Sequence, residues 1–137
     1  MSVFDARVAT IALLRLWNEF SGLPDFLPDP ARLAAHVHPD FRLTYNGRPI
    51  LRGLADLRLH FRDVGRQLGP WTIPLPPVWT VAEDDRCVVL YDVITEPVGA
   101  VRCCVLYSFR DGLCTGQDEF VRLPASLDMR QIVRDTG

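Results

Sequence analysis

The chain has 137 residues, of which 48% are apolar and 23% charged, with a net charge of -2, the balance of one globular domain around a single core. No basic stripe is present to neutralise phosphates, so nucleic acid is not an expected partner. All 15 basic residues are Arg, and without Lys there is no Schiff-base chemistry and no covalent pyridoxal phosphate attachment.

The first predicted helix spans 4–20, where Ala9, Leu13, Leu16, Trp17 and Phe20 form one apolar face. Ser21-Gly22 ends it. Asp29-Pro30 supplies an N-cap and a first-position proline for a short second helix at 31–37, stopped by Pro39. A strand at 41–45 turns back at Asn46-Gly47, a strong hairpin signal, into a brief edge strand at 49–52. The third helix carries Leu54, Leu57, Phe61, Val64 and Leu68, and Gly69-Pro70 terminates it. The stretch 71–81 is strand-like, but Pro74, Pro76 and Pro77 confine it to an edge or a bulged strand. Strands at 86–95, 100–110 and 113–122 follow, joined by short turns as an antiparallel meander. The expected organisation is one domain over 1–123 and a loosely attached tail over 124–137.

Both faces of the last three strands are apolar: Val101, Cys103, Val105, Tyr107 and Phe109 share one side of the middle strand, Cys104 and Leu106 the other. A half-buried antiparallel sheet should be polar outside, so a second partner is expected over the outer face. The four cysteines lack metal-ligand or redox spacing and read as small core residues of a cytoplasmic protein. Asp5 and Arg7 interrupt any signal peptide, and no apolar run approaches a membrane span.

Helix, short helix, Asn-Gly hairpin, helix and long sheet, in that order, resemble the nuclear transport factor 2-like superfamily, and within it the small SnoaL-like and ketosteroid-isomerase-like proteins. The resemblance implies an α+β, cone-shaped fold, with a curved antiparallel sheet wrapped around a long helix and enclosing a pocket. It also implies a homodimer through the outer sheet face. In SnoaL-like proteins an acidic residue stands seven positions beyond the glycine of the last hairpin. Counting from Gly112 reaches Glu119, which by that resemblance points into the cone while Asp118 points outward. A carboxyl desolvated in an apolar pocket serves as general acid or base near neutral pH; the competing reading is a salt bridge from Glu119 to an Arg at the sheet rim. Tyr45 occupies the place where the ketosteroid isomerases carry their proton-shuttling aspartate, five residues after an aspartate matching Asp40. Isomerisation by that base is therefore not expected, although Tyr45 can donate to a ligand carbonyl.

His60 falls near the inward side of the third helix and completes the expected catalytic set of Glu119, Tyr45 and His60. Trp17, Phe61, Tyr91, Tyr107 and Gln117 are the expected ligand contacts. One of Tyr91 and Asp92 must face inward, and Arg102 is the candidate partner for Asp92. His36 and His38 flank the end of the second helix, where histidines satisfy the last carbonyls, and Asp40 is expected to fix the turn into the strand. His36, His38 and Asp40 suit a metal by residue type, but no second ligand cluster stands behind them, so neither metal nor cofactor is expected. No nucleophile elbow and no Gly-rich phosphate loop occur. The expectation is a cofactor-independent isomerase, cyclase or lyase acting on a small apolar, carbonyl-bearing molecule; the alternative is a non-catalytic binding or dimerisation module of the same fold.

Overall fold

The structure, a computed structural model, describes residues 3–122, and the expected tail at 124–137 lies outside the described residues. Helix α1 (Ala6–Ser21) starts where the Asp5 carboxylate accepts the N–H groups of Arg7 and Val8 at 2.9 and 3.2 Å, satisfying two of the donors a helix start leaves free. Its apolar face (Leu13, Leu16, Trp17 and Phe20) is buried. A single 3-10 turn over Pro24–Phe26 leads to α2 (Pro30–Ala34), capped by Asp29 with Pro30 at the first helical position, as expected.

Helix α2 ends three residues before the expected 37. Val37 instead opens strand β1 (Val37–Tyr45) and pairs with Cys114, because Pro39 has no N–H to give a helix and bars its predecessor from helical geometry. This shift also corrects the expectation for Asp40. It sits within β1, exposed, and its carboxylate receives Arg110 Nη2 at 2.6 Å rather than holding a turn. The Asn46-Gly47 turn, with φ of 49° and 82°, returns the chain as β2 (Arg48–Arg52), the left-handed pair that a two-residue hairpin requires.

Gly53 and Gly69, both at positive φ, bracket α3 (Gly53–Leu68). The expected single strand over 71–81 is in fact two pieces, β3 (Trp71–Thr72) and β4 (Trp79–Glu83), both antiparallel to β5 (Arg86–Thr95). The prolines between them cannot donate to a ladder. Strands β6 (Gly99–Arg110) and β7 (Leu113–Val121) continue the expected meander.

The sheet order is β2-β1-β7-β6-β5-β3, with β4 also on β5. Its β1–β7 pair is parallel, which corrects the wholly antiparallel sheet. Helix α1 packs on β3, β4 and β5, and α3 on β1 and β2. Polar residues of α1 fasten the broken edge: Asn18 exchanges two hydrogen bonds with the backbone of Ile73, and Ser21 two with that of Trp71. Among the described residues no helix is long and apolar enough to cross a membrane.

Candidate active site

Glu119 points to the helix side of the sheet and is only 6% exposed. The strand registers set its neighbours, with Tyr45 of β1 on one side and Val105 of β6 on the other. Gln117 Nε2, on the same face of β7, and the Tyr91 hydroxyl each lie 3.5 Å from Oε1 as donors. The Tyr45 hydroxyl acts on the same carboxylate. None of the ion pairs among the described residues involves Glu119, so the rim salt bridge to an Arg is not what holds it.

Burial raises the Glu119 carboxyl above its ordinary value, while hydrogen bonds from Tyr45, Gln117 and Tyr91 pull the other way. Burial likewise keeps the Tyr45 and Tyr91 phenols protonated, well above their usual range, so both are donors at any ordinary pH. His60 is buried, and loss of solvation lowers it to about 4 against the opposing charge of Asp63. Near neutrality its ring is therefore uncharged and offers one N–H. The His60 and Tyr45 rings have centroids 6.4 Å apart.

These groups border one cavity of about 130 Å³. An apolar cavity of ~150 Å³ holds a benzene ring, so the space suits a compact molecule. Trp17 and Trp71 form part of its wall, whereas Trp79 is half exposed on the opposite face of the sheet. Of the expected ligand contacts, Trp17, Phe61, Tyr91 and Gln117 line the cavity. Tyr107 does not. It is fully buried, with its oxygen 3.2 Å from the Tyr91 hydroxyl and 3.1 Å from Trp17 Nε1 of α1.

Tyr91, and not Asp92, faces inward; Asp92 pairs with Arg102 across the outer face at 2.9 Å. Among the described residues no three His, Cys, Asp or Glu side chains gather as metal ligands. His38 does not cap a helix: its Nδ1 accepts the Asp40 N–H at 3.0 Å, and Arg110 Nη2 lies 3.3 Å from its Nε2. Sequence reasoning missed Leu43, Val93, Thr95 and Cys103 as lining residues. Each lies an even number of positions from Tyr45, Tyr91 or Tyr107, so alternation along the strands could have found them.

Residues 28–117 match the SnoaL-like domain family. No curated protein matches the chain. Among solved structures the chain is similar to an NTF2-like protein of unknown function from Cytophaga hutchinsonii, at 9% identity, TM-score 0.65 and coverage of 89% of this chain and 93% of that one. It is similar to a candidate SnoaL-like polyketide cyclase from Jannaschia sp. CCS1, at 14% identity, TM-score 0.66 and coverage of 88% and 89%. It is also similar to an LEH-like epoxide hydrolase of M. tuberculosis, at 16% identity, TM-score 0.63 and coverage of 96% and 90%. At such identities the likeness concerns the fold alone.

Proposed function

The chain belongs to the SnoaL-like domain family, and we propose that it binds a small apolar, carbonyl-bearing molecule and isomerises, cyclises or cleaves it without a cofactor. One observation carries this reading: a buried carboxyl with no cationic partner among the described residues borders an apolar cavity and is flanked by phenol donors. A carboxyl locked to an Arg would be a structural ion pair; Glu119 is left able to exchange a proton.

In the reaction, ionised Glu119 takes a proton from the carbon next to the carbonyl, and the C–H electron pair moves onto the carbonyl oxygen as an enolate. Neutral His60, or the Tyr45 hydroxyl once it turns from Glu119 to the ligand, donates a hydrogen bond to that oxygen, where negative charge develops. The enolate then takes the proton back from Glu119 at another carbon, attacks a carbonyl carbon in the same molecule, whose oxygen takes that proton, or expels a leaving group that departs with it, so that Glu119 is ionised again in each case. Tyr91 and Gln117 hold the carboxylate in place. Among the described residues no Arg lines the cavity, so an anionic ligand would be desolvated beside Glu119 without a counter-charge from them.

The same reading includes a homodimer in the cytoplasm. In register across β4, β5, β6 and β7, Trp79, Leu90, Cys104 and Phe120 form a continuous outer row, and Trp79 and Phe120 are 51% and 52% exposed. A second copy would cover this row.

The experiment is a panel of neutral cyclic ketones and matching carboxylates, followed by NMR in D2O for binding and for exchange at the α-carbon. Neutral ketones should bind and exchange, and carboxylates should do neither. Binding without exchange across the panel would favour the non-catalytic binding module.

A further inference from the structure

A chain of hydrogen bonds runs through the cavity wall, and the proposed chemistry uses only its last link, from Tyr91 to Glu119. Trp17 Nε1 donates to the Tyr107 hydroxyl at 3.1 Å, the Tyr107 and Tyr91 hydroxyls are 3.2 Å apart, and the Tyr91 hydroxyl lies 3.5 Å from Glu119 Oε1. All three links are buried. An indole N–H can only donate, so the Tyr107 oxygen must accept at that end. Among the described residues the Tyr91 oxygen is the acceptor within reach of the Tyr107 hydroxyl proton. Tyr91 then spends its own proton on Glu119.

The direction of the chain is thus set by the Tyr107 proton, for which the Tyr91 oxygen is the acceptor within reach, while Trp17 holds the Tyr107 oxygen in place. Reversing it, with a protonated Glu119 donating to Tyr91 and Tyr91 donating to Tyr107, leaves the Tyr107 proton buried without an acceptor. Such an orphan carries the desolvation cost of an unmade hydrogen bond.

We propose that Trp17 and Tyr107 are positioning residues that aim the Tyr91 hydroxyl at Glu119 and thereby favour its ionised, proton-accepting form. The proposal rests on the reading of Glu119 as the proton carrier of the pocket. Tyr107 touches no ligand space and acts only through Tyr91; Trp17 is both wall and anchor. The relay works against burial, which favours the neutral carboxyl. Other groups also face Glu119: Tyr45 from β1, His60 from α3, Cys103 from β6 and Gln117 from its own strand.

The test is the titration of the Glu119 carboxyl, followed by 13C NMR in the full chain, for wild type, Tyr91→Phe, Tyr107→Phe and Trp17→Phe. Hydrogen bonds to charged groups are strong enough that losing the direct donor should raise the midpoint by about one pH unit in Tyr91→Phe. Tyr107→Phe and Trp17→Phe should each raise it by roughly half a unit through misdirection of Tyr91. A Tyr107→Phe titration superimposable on wild type would overturn the proposal. Should the variants not fold, the wild-type protein still decides. The Trp17 indole N–H resonance should inflect at the Glu119 midpoint and lose that inflection in Glu119→Gln, with the outward-facing Trp79 as the unresponsive control. A flat Trp17 resonance contradicts the relay. Neither readout needs turnover, so a fruitless search for a reaction leaves this result intact, and a broken relay leaves the proposed reaction intact.

Discussion

Tyr45 and Glu119 are Cα partners across the parallel pair of β1 and β7, and both side chains border the same cavity. The pairing brings the end of the hairpin strand, 74 positions earlier in the chain, beside the acidic residue of the last strand. Asn46 completes the junction: its N–H donates to the Glu119 carbonyl at 2.8 Å, and its side chain bridges the Val121 backbone with two more bonds. The hairpin turn that launches β2 therefore also fixes the position of the proposed catalytic strand.

Replacing Asn46 by Ala should loosen that junction as well as strain the turn, because Asn tolerates the left-handed φ of 49° better than Ala does. The expected loss is about 1–3 kcal/mol of stability, measured by urea denaturation. A change within 0.5 kcal/mol of zero (roughly the size of a neutral surface substitution) would mean that the junction is not holding β1 to β7.

Acid should destabilise the protein through His60. Its folded value of about 4 lies below its ordinary 6.5, so between those values the unfolded chain binds more protons and stability falls as pH drops. The full effect is roughly 3 kcal/mol. Glu119 acts in the opposite sense: raised above 4.5, it makes the folded state the better proton binder, so its contribution falls as pH rises through that region. Comparing wild type with His60→Leu separates the two. The variant should lose the His60 share of the drop in thermal midpoint between pH 6.5 and 4, and a drop as large as that of wild type would contradict the assignment.

Gly65 sits on α3 where an added Cβ would land on the ring of Phe26. In an open helix, Gly to Ala would gain up to about 1 kcal/mol. Here Gly65→Ala should instead lose about 1–3 kcal/mol through overpacking, read as a lower denaturation midpoint. A stabilised variant would show that Phe26 moves aside freely.

The proposed dimer can be tested at the outer row. Phe120→Asp should convert a dimer into a monomer in multi-angle light scattering and leave the fold's circular dichroism unchanged, because the side chain lies on the face away from the cavity. A monomeric wild type would refute the dimer directly.

Local chemistry made most of the fold legible in the sequence. Asp29, Asn46-Gly47 and Gly69 act within a few residues of themselves, and their caps and turns stand where the sequence puts them, whereas the first helix, expected from 4, starts at Ala6 with Asp5 as its cap. The parallel β1–β7 pair was hidden because no turn joins those strands, and only packing reports it. Pro39 likewise signals a helix stop but not that Val37 already pairs with Cys114. For the site, alternation predicts which residues share a face, and Glu119 with Gln117 follows at once. That Tyr107 stands behind Tyr91 instead of beside the ligand space depends on where Trp17 arrives from α1, a tertiary fact with no local signature. Asp92 and Arg102 were linked correctly by residue type, but the outer face they occupy depended on which way Tyr91 turned.

The most direct test of the account is α-carbon deuteration of a bound neutral ketone in D2O, measured for wild type and Glu119→Gln at equal ligand occupancy. The account predicts a drop of about 10²–10⁴-fold in exchange rate with ligand affinity nearly preserved, since Gln keeps the shape and loses the base. Equal exchange rates in the two proteins would contradict Glu119 as the proton carrier.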